Sequence, residues 1–251
     1  MIHADPMNLR PKRTWRRAAL ILASFLTVVG IVAGYLISRR LRGSGYHFIL
    51  LRQYWSDPEG HADWILKGAE RCQSAPFLMP SDGFVAFFYG DRYPSGRKHQ
   101  GVDIFGPTGP AGIGETPIYA AYDGYLSRLP DWRSSLILRV PQDPLQPDRQ
   151  IWLYYTHMAD PQGRSFIQEE FPPGTFEVFV PAGSLLGFQG NYSADPDNPT
   201  GMHLHFSIVL DDGNGSFRNE LEIRNTLDPS PYLGVELNGE RIGMNIARCE
   251  E

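Results

Sequence analysis

A chain of 251 residues with 42% hydrophobic content, 26 Gly and 21 Pro reads as a turn-rich globular protein of short strands rather than a helical bundle. Its net charge of −5 is unevenly divided: residues 1–42 carry eight Lys/Arg against Asp5 alone and are +7, so the remainder is −12. An acidic body excludes ordinary nucleic-acid binding, because phosphate contacts need Lys and Arg.

From Ala18 to Ser38 run twenty-one residues without a charge, AALILASFLTVVGIVAGYLIS. A helix of that length crosses a hydrocarbon core of about 30 Å. The run has no polar face, which argues against a buried helix of a soluble protein. It exceeds the roughly 7–15 apolar residues of a cleaved signal peptide and ends in Arg39 and Arg40 rather than a small-residue cleavage site. The expectation is a single-pass anchor in the cell membrane over 18–38, with residues 1–17 as a short cytoplasmic tail and the rest extracytoplasmic. Basic residues on both sides of the run make the positive-inside bias modest.

Residues 39–75 read as a stem. YHFILLRQYW (46–55) suits either strand or helix, and Asp57-Pro58 reads as a helix cap with proline at the first helical position, so that a helix is predicted from there, continuing over Asp63 to Arg71. The two cysteines, Cys72 and Cys249, are too few and too distant for a zinc knuckle. They form either a staple between the start of the body and its end, in an oxidising compartment, or two unrelated buried thiols.

From Pro76 the chain changes to short apolar runs punctuated by Gly, Pro and Asp. Predicted strands are Gly83–Phe88, Gly101–Ile104, Pro117–Ala121, Gly124–Leu129, Leu136–Val140, Ile151–His157, Phe176–Phe179, Leu185–Gln189 and His203–Leu210. Tyr122-Asp123-Gly124 reads as an Asp-Gly hairpin turn. Pro141–Arg149 and Pro161–Pro173 read as long loops, the second directly after His157 and so placed to line a site there. The fold class that follows is mainly β, an antiparallel sandwich or open barrel over 76–235, with 236–251 as a C-terminal tail.

Four of the seven histidines and one aspartate form an ordered pattern, His99-x-x-x-Asp103, His157, His203-x-His205. On a strand, residues two or four apart share a face, so each of the two spaced pairs presents its side chains together. Two histidines and one carboxylate satisfy catalytic zinc, which takes three protein ligands and keeps a fourth position open. Each piece alone is weak, since a lone HxH is more often incidental and His157 alone reads as a strand-end residue. Three such segments in order within one β-rich region point to a metal centre. Strand alternation alone leaves open which member of the HxH pair is the ligand.

These segments resemble the LytM/lysostaphin-type zinc metallopeptidases over roughly Pro76 to Leu233. MPSDGFVAFFYGDR, GRKHQGVDIFGPTG, GETPIYAAYDGYLSR, WLYYTHMAD, VPAGSLLGFQGN, GMHLHFSI and LDPSPYL are similar, in order, to that family's successive motifs. The resemblance implies His99, Asp103 and His205 as Zn2+ ligands and His157 and His203 as the catalytic pair beside the metal. It also implies hydrolysis of peptide cross-links in peptidoglycan. Met158 stands where Leu is usual, Ser207 where Glu is frequent, and NYSADPDNPT (191–200) is longer and more acidic than the usual loop. The second implied reading is a silent or autoinhibited module that regulates other cell-wall hydrolases, with the stem or the 190–200 loop over the site. A cupin-type oxygenase, which also uses HxH, fits less well, because here the HxxxD segment comes first and HxH last.

Overall fold

The computed structural model describes residues 14–40, 44–93 and 95–249, so most of the predicted cytoplasmic tail lies outside the described residues. Thr14–Arg40 forms one helix, α1. Its segment Ala18–Tyr35 is long and apolar enough to cross a membrane, and its side chains are exposed along their whole length.

The described residues from 44 onward form a compact unit of their own. It opens with helix α2, Ser44–Ser56, which resolves the strand-or-helix ambiguity of that segment. α2 lays Leu50 and Leu51 against Phe84, Ala86 and Phe105 of the sheet, with Phe48 and Trp55 beside them. The Trp55 indole N–H donates to the Gly106 carbonyl at 3.1 Å. Segment 44–56 is thus part of the folded body rather than a free tether.

The helix predicted from Asp57 through Arg71 is not formed. α2 ends at Ser56, ahead of Pro58, as expected where proline cannot continue the ladder. The Asp57 carboxylate accepts from the Gly60 amide at 3.1 Å, a turn rather than a helix cap. A single 3₁₀ turn, Ala62–Trp64, follows, and the chain then extends so that Leu66 exchanges two backbone hydrogen bonds with Gly83. The competing strand pairing wins this segment.

The strands are β1 (Phe84–Phe87), β2 (Val102–Phe105), β3 (Pro117–Tyr119), β4 (Gly124–Ser127), β5 (Leu136–Val140), β6 (Ile151–Thr156), β7 (Val178–Val180), β8 (Leu185–Phe188), β9 (Leu204–Leu210) and β10 (Thr226–Leu227). The fold is mainly β, in two antiparallel sheets, as expected. One runs β1-β2-β9-β6-β5-β4-β7 with β10 added beside β9, and the other pairs β3 with β8. Nine of the ten strands among the described residues fall on predicted segments. β10 is only two residues long and carries no alternation to read.

Asp123-Gly124 does not close a hairpin. β3 pairs with β8 and β4 pairs with β5 and β7, so the chain crosses between sheets at this point. The Asp123 carboxylate accepts instead from the Ala182 amide at 2.7 Å.

The main core lies between the sheets, with Ile118, Ala120 and Leu186 facing Leu126, Leu138, Leu153, Tyr155, Phe206 and Ile208. Tyr155 is fully buried and its hydroxyl accepts from the Ala121 amide at 2.9 Å, which removes the cost of burying that oxygen. Short helices α3 (Ser230–Leu233) and α4 (Gly239–Ile242) close the C-terminal side. Cys72 and Cys249 are disulfide-bonded with their Cα atoms 5.2 Å apart, so of the two readings left open for the cysteines the staple is the one formed.

Candidate metal centre

β9 is central in the sheet, flanked by β2 and β6. Antiparallel register sets Asp103 of β2 opposite His205, and His205 opposite Thr156 of β6. His157 comes next in the chain. Three segments far apart in sequence are therefore brought to one row by strand pairing. His99 joins from the hairpin ahead of β2, where its amide donates to Asp91 at 2.7 Å and its carbonyl accepts from Gly90 at 2.8 Å. Gly101, between His99 and Asp103, passes so close to β9 that a Cβ there would sit 2.3 Å from the Phe206 carbonyl oxygen. A larger residue would push β2 off β9 and pull the two histidines apart.

His99 Nε2 lies 3.0 Å from His205 Nδ1 and 3.1 Å from Asp103 Oδ1, and His205 Nδ1 lies 2.9 Å from the same oxygen. All three residues are buried and converge as possible metal ligands. His203 Nε2 is 3.6 Å from Asp103 Oδ1. The His157 and His203 rings lie 4.5 Å apart between centroids, and the His203 ring stacks on Phe105 at 5.0 Å.

Backbone partners fix the tautomers. His99 Nδ1 faces the Phe88 carbonyl at 3.1 Å, His157 Nδ1 the Tyr192 carbonyl at 2.6 Å, and His203 Nδ1 the Gly201 carbonyl at 2.7 Å. A carbonyl only accepts, so each of these Nδ1 atoms carries the hydrogen and each Nε2 presents a lone pair. His205 is turned the other way, with Nδ1 in the cluster and Nε2 buried without a partner. His157 holds this position with φ of 70°, in the left-handed region that residues other than glycine rarely adopt. Gly190 packs beneath it, where a Cβ would lie 2.5 Å from the His157 carbonyl oxygen.

Burial alone would raise the Asp103 carboxyl, but the surrounding imidazoles hold it well below the usual carboxylate range. Burial also opposes charge on His99, yet the Asp103 carboxylate beside it raises that imidazole. Burial lowers His157 and His205, and drives His203 down to about 4. The pair outside the ligand cluster is thus neutral at physiological pH.

The cluster fits a divalent ion on its chemistry. Two imidazole nitrogens and one carboxylate oxygen stand within 2.9–3.1 Å of one another. Ligands on a tetrahedral zinc with bonds of about 2.0–2.1 Å stand about 3.4 Å apart, so the array needs only slight expansion. One shared proton cannot satisfy three converging acceptors, whereas a cation can.

The centre opens into a cavity of about 530 Å³ whose walls include Phe48, Tyr93, Tyr154, Thr200 and Glu220. Three of its elements escaped the sequence reading. Phe48 comes from α2, Gln100 is an unassigned position inside the His99-x-x-x-Asp103 spacing, and Glu220 comes from a segment that carried no recognisable pattern. The 190–200 loop does form part of the site, through the Tyr192 carbonyl and through Thr200, but Asp195 and Asp197 are exposed.

No protein-family model matches the sequence, and no curated protein does. Solved structures do resemble it. Csd3 of Helicobacter pylori is 18% identical over 62% of this chain and 34% of its own, with a TM-score of 0.37. Lysostaphin is 23% identical over 60% of this chain and 49% of its own, with a TM-score of 0.38. A variant of the catalytic domain of EnpA, a prophage-encoded M23 protein of Enterococcus faecalis, is 22% identical over 60% of this chain and 93% of its own, with a TM-score of 0.35. The chain spans about a third of Csd3 and half of lysostaphin.

Proposed function

We propose that this protein is a zinc metalloendopeptidase that hydrolyses peptide cross-links of peptidoglycan. The observation that carries the reading is the convergence of His99 Nε2, Asp103 Oδ1 and His205 Nδ1 within 3.1 Å, with two neutral histidines beside them. In this reading His99, Asp103 and His205 hold the metal, and His157 and His203 are the catalytic pair.

When bound, zinc supplies Lewis-acid chemistry, acidifying water and polarising a carbonyl. The chain's own residues do the rest. Asp103 offsets part of the cation's charge. His157 or His203, each presenting a lone pair at Nε2, accepts the proton of the attacking water and later delivers it to the leaving amine. Their Nδ1–H groups are committed to Tyr192 and Gly201, which keeps both Nε2 atoms aimed into the cavity. Phe105 and Phe48 supply apolar wall to the same cavity.

We further propose that residues 18–38 anchor the protein in the cell membrane with the catalytic unit extracytoplasmic. The exposed apolar helix supports this, and so does the Cys72–Cys249 disulfide, since such bonds persist in oxidising compartments.

The test is zinc analysis of the purified full chain together with mass spectrometry of digests of several purified wall types. One zinc per chain and new amino termini within cross-links are expected. A protein that binds no zinc would end this reading. A protein that binds zinc and cleaves no wall would instead favour the regulatory module, for which the contribution of Phe48 to the cavity wall supplies an occluding element.

A further inference from the structure

Among the described residues that line the cavity, Glu220 is the one acidic side chain besides Asp103, and none is Lys or Arg. Asp103 is already engaged by three imidazoles. Glu220 is not engaged in the same way. Among the described residues no ion pair involves it, and its Oε2 is buried without a hydrogen-bond partner. Gln100 and Arg97 both lie near enough to act on the carboxyl. Yet Arg97 aims its guanidinium at the Leu221 carbonyl, 3.3 Å away.

The position of Glu220 ties it to the reaction centre. Gln100 follows His99 directly in the chain. Tyr154, whose hydroxyl feels the Glu220 charge, lies two residues before Thr156, the strand partner of His205. Tyr154 and Thr156 are on one face of β6 and both line the cavity. Glu220 therefore stands on the wall of the cavity that holds Asp103 and His205, near Tyr154 and without an ion pair to the cluster.

A half-buried carboxylate with an orphaned oxygen is costly to keep, and it is normally paired. An apolar or anionic substrate group seated against it would raise that cost. A cation would remove it. Building on the proposed peptidase reading, we infer that Glu220 receives a primary ammonium group of the substrate, carried next to the scissile amide. The site would then select cross-links with a free amine beside the cleaved bond over those where that amine is acylated.

The test compares two synthetic peptides on the zinc-loaded full chain in detergent. One carries a lysine ammonium beside the cleavable amide; the other is the same peptide acetylated on that amine. Both kcat/KM and Kd are measured for the parent and for Glu220→Gln, with zinc content as a check that the centre is intact. The parent should prefer the ammonium peptide by about tenfold or more, the worth of one charge-assisted hydrogen bond. Glu220→Gln should lose that preference by weakening on the ammonium peptide alone. A binding preference lost in Glu220→Gln with no cleavage of either peptide would keep this inference and end the peptidase reading. Cleavage or binding without discrimination, discrimination that persists in Glu220→Gln, or no binding of either peptide would overturn it.

Discussion

His99 Nε2 and His205 Nδ1 face each other across 3.0 Å, two imidazole nitrogens presented to one another from segments more than a hundred residues apart. The Phe88 carbonyl commits the far nitrogen of His99 to carrying its hydrogen, and Asp103 Oδ1 stands 2.9 Å from His205 Nδ1. Such an array costs free energy in a buried site unless something positive sits within it. The first expectation is therefore thermodynamic. Zinc should raise the melting temperature, and a chelator should lower it by several degrees, because an ion at a hundred times its Kd adds about 2.7 kcal/mol. His99→Ala and Asp103→Ala should each reduce bound zinc from about one per chain to near zero and abolish the response to chelator. Metal analysis with calorimetry checks both.

The neutral pair should separate from the ligand set. His157→Ala and His203→Ala should retain zinc and lower kcat by about 10²–10⁴-fold, the usual worth of general acid–base catalysis. Neither removes one of the three converging ligand atoms. A variant of His157 that turned over at the parental rate would remove that residue from the mechanism. Parallel zinc determination distinguishes loss of chemistry from loss of metal.

Glu220 carries a signature in stability as well as in specificity. Burial raises its pKa to about 7. Between its ordinary value of 4.5 and about 7, the folded state binds the proton more tightly than the unfolded chain does. Its favourable contribution is therefore complete below the unfolded pKa and is lost as pH rises through about 7. Glu220→Gln has no such loss. The melting temperature of the variant should rise relative to the parent between pH 5 and pH 8. The expected gain is on the order of 1–2 kcal/mol, discounted for the side chain's remaining exposure. Thermal scans of both proteins across that range measure it; a constant difference would show that the carboxyl is not held in the way described.

The convergence of His99, Asp103 and His205 was partly legible because strand alternation and spacing are local quantities. His203-x-His205 needs only extended chain to share a face, and His205 lies in β9 with His203 directly ahead of it, bridged to Gly190. What joins it to His99 and Asp103 is the order β2-β9-β6, a long-range pairing that no local pattern encodes. The family resemblance supplied that link. The same limit explains the failures. Asp123-Gly124 carries hairpin chemistry, yet its flanking strands find partners in different sheets. Asp57-Pro58 carries helix-start chemistry, yet α2 ends there and Leu66 pairs with Gly83. Glu220 left no trace, because a single acidic residue in a polar loop resembles any solvated one until its burial is known.

The disulfide and α2 divide the support of the body's N-terminal side between them. Cys72 and Cys249 are 177 residues apart, and a closed loop of that length restricts the unfolded chain strongly. Cys72→Ser should cost about 2–5 kcal/mol and leave one alkylatable thiol, visible by mass.

Leu51 tests whether α2 belongs to the folded unit in energy as well as in contact. It is fully buried, and it meets a cluster containing Phe84 and Phe105. Leu51→Ala should cost about 2–5 kcal/mol through lost burial and the cavity left behind. If residues 44–56 were a tether, the same change would fall within about 0.5 kcal/mol, as at a surface position. The two outcomes are separated by more than the error of a denaturation curve. The consequence extends to the site, because Phe105 stacks on His203 and Phe48 of the same helix lines the cavity. Loosening α2 should therefore lower kcat as well as stability, while zinc content should stay near one per chain, because none of the three converging ligand atoms of His99, Asp103 and His205 comes from α2. Unfolding curves, turnover and metal content of Leu51→Ala, measured on one preparation, decide between a structural helix and a passive stem.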